Sequence, residues 1–249
     1  MEYVLITGGS SGIGYALAKK FAADHYGILL AASNKEKLQE AGACIRQEYK
    51  TEVVCYTVDL AKTDGAKQLY EKIKEDNYEI SVLVNNAGMG VIGATEEIDA
   101  QKDEQMMILN MLTPVALTKL FLKDMYRKES GRILNVSSTG AFQPGPYTAT
   151  YYASKAFLLS YGQAVRYEAK KKGVSVCTVC PGTTATGFFT RVGSDTPKGA
   201  MTPERVADYA YRRFRKKKAV SVPGISYRLM RLCPVRIKTA VIAWVKKKQ

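Results

Sequence analysis

Histidine occurs once in these 249 residues, and the five cysteines, Cys44, Cys55, Cys177, Cys180 and Cys233, are scattered. Cys177-Thr178-Val179-Cys180 has C-x-x-C spacing, but it sits in an apolar strand pattern and has no second pair. Zinc sites and redox dithiols need clustered Cys and His. No metal is therefore expected, and buried thiols in a reducing cytoplasm fit better. Internal repeats, low-complexity tracts and interdomain linkers are also missing, so one domain is expected, a size that α/β folds often reach. No basic stretch leading into an apolar one opens the chain, so no signal peptide is expected. Acid is missing at the other end, where no Asp or Glu follows Asp208.

What is present alternates. Apolar runs at 3–6, 27–31, 53–58, 81–84, 132–136, 174–179 and 220–222 read as buried strands. Helical patterns lie between them, at about 13–24, 35–49, 62–76, 101–128, 151–172 and 203–217. Strands buried on both faces look continuously apolar, as these do. The alternation implies right-handed βαβ units and an α/β fold: a single-domain, doubly wound parallel sheet of Rossmann type, with helices on both faces. Ligands of such sheets bind beyond the carboxyl ends of the strands. Six segments follow strand ends and so converge there: 8–14, 31–34, Asp59-Leu60, Asn85-Asn86-Ala87-Gly88, Ser137-Ser138 and Pro181-Gly182.

The first of these is Gly8-Gly9-Ser10-Ser11-Gly12-Ile13-Gly14, between an apolar run and a helical pattern. Glycine allows a sharp turn and a close approach of the backbone to phosphate. The helix N-terminus adds free N–H groups and partial positive charge for an anion. The spacing is G-x-x-x-G-x-G, not the commoner G-x-G-x-x-G.

Further along stands Tyr151-Tyr152-Ala153-Ser154-Lys155. Positions i and i+4 share a helix face, so Lys155 lies one turn beyond Tyr151. Tyrosine ordinarily titrates near pH ~10. A neighbouring cation favours the phenolate and is expected to lower that value. The pair follows Ser137-Ser138 through a loop rich in Gly and Pro, which brings it to the same sheet edge.

Taken together these residues resemble the short-chain dehydrogenase/reductase family, over about residues 3–190. The resemblance implies a nicotinamide cofactor held by Gly8, Ser10, Ser11, Gly12, Ile13 and Gly14. It implies Asp59 and Leu60 at the adenine ring, and Asn86, Ala87 and Gly88 at the nicotinamide ribose. Pro181, Gly182, Thr184 and Thr186 would hold the carboxamide. It also implies a catalytic set of Asn110, Ser138, Tyr151 and Lys155. Ser138 is preferred to Ser137, and Tyr151 to Tyr152, by the family's spacing. In the implied reaction a hydride moves between nicotinamide and a carbonyl or secondary-alcohol carbon. Tyr151 handles the proton, Ser138 bonds the oxygen, Lys155 also meets the ribose, and Asn110 holds a water linked to Lys155.

After the second strand, NAD-preferring proteins place an acid on the ribose 2′-hydroxyl. Here the stretch is Ala31-Ala32-Ser33-Asn34-Lys35, with no acid and no arginine. Ser33, Asn34 and Lys35 are expected to bond a 2′-phosphate, so NADP(H) is favoured and NAD(H) stays admissible. An apolar pocket for a hydrophobic ketone or alcohol is expected from Met89, Phe142, Tyr147, Phe188, Phe189 and Met201.

The net charge is +14, and thirteen Lys or Arg follow Asp208, leaving about +1 for everything before them. The reading divides the chain into a catalytic unit, 1–224, and a basic amphipathic extension, 225–249. The extension carries Ile237, Val241, Trp244 and Val245 at helical spacing. Two roles stay open for it: peripheral contact with an anionic membrane, or packing within a homodimer or homotetramer. Holding no candidate proton donor, it is expected to govern location, cytoplasmic or membrane-peripheral, rather than catalysis. Alternatives are a 3-ketoacyl-carrier-protein reductase docked through the basic tail, and a cofactor-sensing protein without catalysis. No nucleic-acid-binding module is recognisable, so no such partner is expected.

Overall fold

A computed structural model of the chain describes residues 1–230 and 232–246. Seven parallel strands form one sheet: β1 Tyr3–Thr7, β2 Gly27–Ala32, β3 Val53–Thr57, β4 Ile80–Asn85, β5 Gly131–Val136, β6 Val174–Val179 and β7 Val220–Ser221. Their spatial order is β3-β2-β1-β4-β5-β6-β7. The order reverses between β1 and β4, which opens a crevice at their carboxyl ends.

Helices cover both faces, as continuously apolar strands require. On one side lie α1 Gly12–Ala23, α2 Lys35–Tyr49 and, from the far end of the chain, α8 Pro203–Arg215. Their core joins Leu17, Phe21, Leu38, Ile45 and Phe214 to Val4, Ile6, Ile28 and Val84 of the sheet. On the other side lie α3 Gly65–Glu75, α5 Thr113–Arg127 and α6 Ala149–Lys170, which bury Leu69, Phe121 and Val165 against Leu5, Leu83 and Ile133. Local chemistry sets the boundaries. Asn34 caps α2 by accepting from the N–H of Lys37 at 2.8 Å. Thr202 caps α8 in the same way, with Pro203 next, where its missing N–H costs nothing.

The pattern read as one helix over 101–128 is three pieces: α4 Ala100–Met107, a π-helical turn Ile108–Leu112, and α5. The reason is Pro114, which has no N–H to offer the carbonyl of Asn110 in α-helical register. The widened turn closes instead through Thr113 N–H to the carbonyl of Ile108. The stretch Ala100–Arg127 is long and apolar enough to cross a bilayer, but half of its most apolar window is buried and α5 packs on α3 and on β4 and β5. Packing on the sheet accounts for its apolar character.

The chain ends in α9 Ile225–Met230 and α10 Val235–Lys246, after a single turn α7 Phe188–Arg191 nearer the site. The thirteen cations read as one basic tail divide into two places. Those at 212–218 close α8 at the amino-terminal edge of the sheet, where Arg132 donates to the Phe214 carbonyl and Arg166 to that of Lys217. Arg228, Arg236, Lys238 and Lys246 belong to α9 and α10. Arg231, Lys247 and Lys248 lie outside the described residues.

Candidate active site

A cleft of about 770 Å³ opens at the carboxyl edge of the sheet. Gly8, Ser10, Ser11, Gly12 and Ile13 line one end, beside Ser33, Asp59 and Leu60. Asn86, Ala87 and Gly88 line its middle. Ser138, Tyr151 and Lys155 line it as well, as do Pro181, Gly182, Thr184 and Thr186, the last of these against Gly12. The six strand-end segments do converge.

The dinucleotide end is built by the first turn. Gly12 has φ +56°, and a Cβ there would lie 3.0 Å from the Thr186 side chain, so glycine suits both the backbone and the space. Gly14 does not line the cleft. A Cβ on it would stand 2.3 Å from the Gly8 carbonyl oxygen, so its role is the close approach of α1 to the turn. Asn86 staples that turn: its Nδ2 donates to the carbonyls of Thr7 at 2.9 Å and Gly8 at 3.2 Å. Thr7 Oγ1 in return accepts from the N–H groups of Asn86 and Ala87, each at 3.0 Å. Ser11 precedes α1 with no side-chain cap on the helix's first N–H groups. Such donors at a helix start fit a pyrophosphate. Asp59 Oδ1 accepts from Ala61 N–H at 3.0 Å, which holds its carboxylate at the rim. Ser33 reaches the cleft, whereas the Asn34 side-chain oxygen is occupied in capping α2.

At the chemical end, Ser138 Oγ accepts from Gly140 N–H at 3.0 Å, which leaves its O–H free to donate. Its hydroxyl also bonds the Tyr151 phenol and holds the phenol's pKa down. Burial outweighs that effect and pushes Tyr151 up to about 12. Burial also pulls Lys155 down to about 8. Its ammonium donates to the Val136 carbonyl at 3.2 Å and stands 5.8 Å from the centre of the Tyr151 ring. The expected lowering of the tyrosine by its neighbouring lysine is therefore absent here, because desolvation dominates both groups.

Asn110 comes to the site as a brace. It is fully buried in the π turn, and both of its amide N–H bonds are used, one on the Met89 carbonyl at 2.9 Å and one on Ser154 Oγ at 3.0 Å. Its Oδ1 accepts from Met89 N–H at 3.0 Å. The side chain thus has no donor left for the water expected of it. It fixes the Gly88-Met89 backbone against α6, where a Cβ on Gly88 would lie 3.1 Å from Lys155 Nζ.

Of the expected pocket residues, Met89, Phe188 and Phe189 line the cleft. Met201 is buried instead, in a strand-like bridge to Thr184, and Phe142 and Tyr147 do not line the cleft. Phe188 lies over Tyr151, with ring centres 5.3 Å apart. The sequence reading missed Val91, Ile92 and Tyr152, and it missed Val241, Ile242 and Val245 of α10. The i, i+4 spacing of Val241 and Val245 was visible, but spacing alone does not say which surface a helix covers. The extension is also tied to the cofactor end. The Tyr227 ring packs on Gly182, and its hydroxyl accepts from Thr183 N–H at 3.1 Å.

A doubly wound sheet with an uncapped glycine turn at its switch point, and Ser, Tyr and Lys converging beside it, defines a dinucleotide-binding protein equipped for acid–base chemistry. A family profile described as short chain dehydrogenase matches residues 2–197, and the chain belongs to that family. A very-long-chain 3-oxoacyl-CoA reductase of Bos taurus is 32% identical over 186 residues, 72% of this chain. The chain spans 58% of that relative's length. An uncharacterised oxidoreductase of Staphylococcus saprophyticus is 29% identical over 91% of this chain and 97% of its own. Among solved structures, a short-chain dehydrogenase from Sphingobium yanoikuyae in complex with NADPH superposes with a TM-score of 0.87, at 29% identity over 97% of this chain and 95% of that one. A bulky-bulky ketone specific alcohol dehydrogenase from Comamonas testosteroni does so at 0.82, with 27% identity over 98% and 94%.

Proposed function

We propose that the protein is an NADP(H)-preferring oxidoreductase that interconverts a hydrophobic ketone and its secondary alcohol. The observation that carries this reading is the placing of Tyr151, Ser138 and Lys155 in a cleft whose remaining walls are largely apolar. Bound there, the nicotinamide group supplies or accepts the hydride. Tyr151, protonated at neutral pH by its raised pKa, gives its proton to the carbonyl oxygen in reduction. Ser138 turns its O–H from the phenol to the same oxygen and stabilises the charge developing there. Lys155 keeps positive charge one helical turn from the phenol. In oxidation Tyr151 takes the hydroxyl proton.

The preference for NADP(H) is supported by the lack of an acid at 31–34, by Ser33 in the cleft, and by the start of α2 just beyond it. The NADPH complex of the Sphingobium relative points the same way. A 3-oxoacyl thioester is a second reading, supported by the name of the Bos taurus relative and by the volume of the cleft. Cytoplasmic homodimers or homotetramers belong to the first reading, and the exposed Met107 and Leu112 offer apolar surface for such contacts.

The test is cofactor oxidation by the purified protein, with NADPH and NADH, against bulky ketones and 3-oxoacyl thioesters. Turnover of ketones with NADPH supports the first reading. Turnover of thioesters alone selects the second, and no turnover of any carbonyl rejects both.

A further inference from the structure

We infer that α9 and α10 form a docking surface for an anionic phospholipid bilayer, and that this surface surrounds the mouth of the cleft. The inner side of the helix pair belongs to the enzyme. Lys238 Nζ donates to the Phe142 carbonyl at 3.3 Å, and Tyr227 is fixed on Gly182. Val241, Ile242 and Val245 close the cleft wall. Yet Val241 and Val245 are also 56% and 42% exposed, so these two apolar side chains both line the cleft and reach solvent.

The outer side continues it. Of the twelve large hydrophobic side chains that stand exposed among the described residues, eight fall between 225 and 245. Leu232 at 82%, Ile225 at 72% and Trp244 at 63% are the extremes. A patch of this kind marks an interaction surface. Charge selects the occupant. The segment 225–249 carries seven Lys or Arg and no acid, and of these Lys238 is buried on the inner side. A symmetric contact with a second copy would set these cations against their own equivalents, since a two-fold interface pairs a patch with itself. An acidic carrier protein would meet the cations and leave Ile225, Leu229 and Leu232 in water. A bilayer with anionic headgroups satisfies both, taking the apolar side chains and the tryptophan below the headgroups and the cations among them. The cations at 212–218, at the opposite sheet edge, take no part. Entry of substrate from the bilayer rests on the hydrophobic-substrate reading. Docking does not, and it is measured without turnover.

Trp244 is the only tryptophan in the chain, so its emission reports this surface alone. The full-length protein is mixed at low salt with vesicles of phosphatidylcholine and phosphatidylserine, and separately with phosphatidylcholine alone. The inference expects a blue shift of Trp244 emission and co-sedimentation with the anionic vesicles only, both reversed by salt as screening shortens to a few Å. The variant Leu229→Glu with Leu232→Glu, outside the cleft, should bind vesicles about tenfold or more weaker, as loss of apolar insertion requires. Its NADPH-dependent turnover of a water-soluble ketone should be unchanged. No blue shift and no sedimentation at low salt would overturn the inference. So would undiminished vesicle binding by the variant, a smaller oligomer without lipid binding, or capture of an acidic carrier protein in place of vesicles. Vesicle binding by a protein that turns over no ketone would sink the proposed function and leave the docking surface standing.

Discussion

The ammonium of Lys155 stands 5.8 Å from the centre of the Tyr151 ring, and burial drives the two groups apart in pKa, one down to about 8 and the other up to about 12. Ketone reduction needs the phenol protonated and the ammonium charged. Both conditions hold at neutral pH. As pH rises through about 8, Lys155 loses its charge first, so the reduction rate should fall there while Tyr151 is still protonated. Alcohol oxidation needs the phenolate and should rise with pH across the same range. Initial rates in both directions from about pH 6 to 10, a range that brackets the Lys155 value and stays below that of Tyr151, check the two opposite slopes.

Lys155 should also weaken the protein that it serves. Its folded pKa, about 8, lies below its ordinary 10.5, so the unfolded chain binds that proton more tightly. The group opposes folding most below pH 8, and the opposition fades as pH rises toward 10.5. At full effect it amounts to roughly 3 kcal/mol. Lys155→Met, measured by thermal melting without cofactor at pH 7, is expected to melt higher than the parent and to have lost turnover. A lower melting temperature would mean that the bond to the Val136 carbonyl outweighs the burial of charge.

The cofactor preference has a single position to test. Ser33→Asp places a carboxylate where the 2′-phosphate would lie. NADPH affinity should fall by about tenfold or more, the value of one reversed charge contact, and NADH affinity should hold or improve. Fluorescence titration with both dinucleotides measures it, and equal losses for the two would show that Ser33 does not face the 2′ position.

Reading by residue type went furthest where one type was required. Gly12 at a positive φ, continuously apolar strands and the i, i+4 pair Tyr151 and Lys155 each admit few alternatives, and the strand ends read from them meet in one cleft. Long-range consequences were not legible. The π turn at Asn110 follows from Pro114, but only the folded contact with Met89 shows what the turn is for. Asn34 looked available for phosphate because capping depends on where α2 begins. Spacing in α10 showed an apolar face without saying that the face closes the site. Nor could the helix that puts Lys155 beside Tyr151 reveal how strongly both would be desolvated.

The contacts of α9 and α10 change one expectation. A chain ending at Gly224 would lose the cleft wall at Val241, Ile242 and Val245, and the Tyr227 hydroxyl that accepts from Thr183. Truncation should therefore cut turnover as well as any surface function. Tyr227→Phe isolates the hydrogen bond. Leaving the Thr183 N–H without its partner should cost about 1–3 kcal/mol, read as weaker cofactor binding. Unchanged binding in Tyr227→Phe would show that the ring on Gly182 is sufficient.

The central claim is that the Tyr151 phenol moves the proton, and Tyr151→Phe set beside Tyr152→Phe tests it most directly. Steady-state NADPH oxidation with an accepted ketone is measured for both variants, with NADPH binding followed by fluorescence. Tyr151→Phe should lose about 10²–10⁴-fold in turnover, the usual worth of a positioned proton donor, while NADPH binding stays nearly intact. Tyr152→Phe should retain most of its turnover. Retained turnover in Tyr151→Phe together with its loss in Tyr152→Phe would contradict the account.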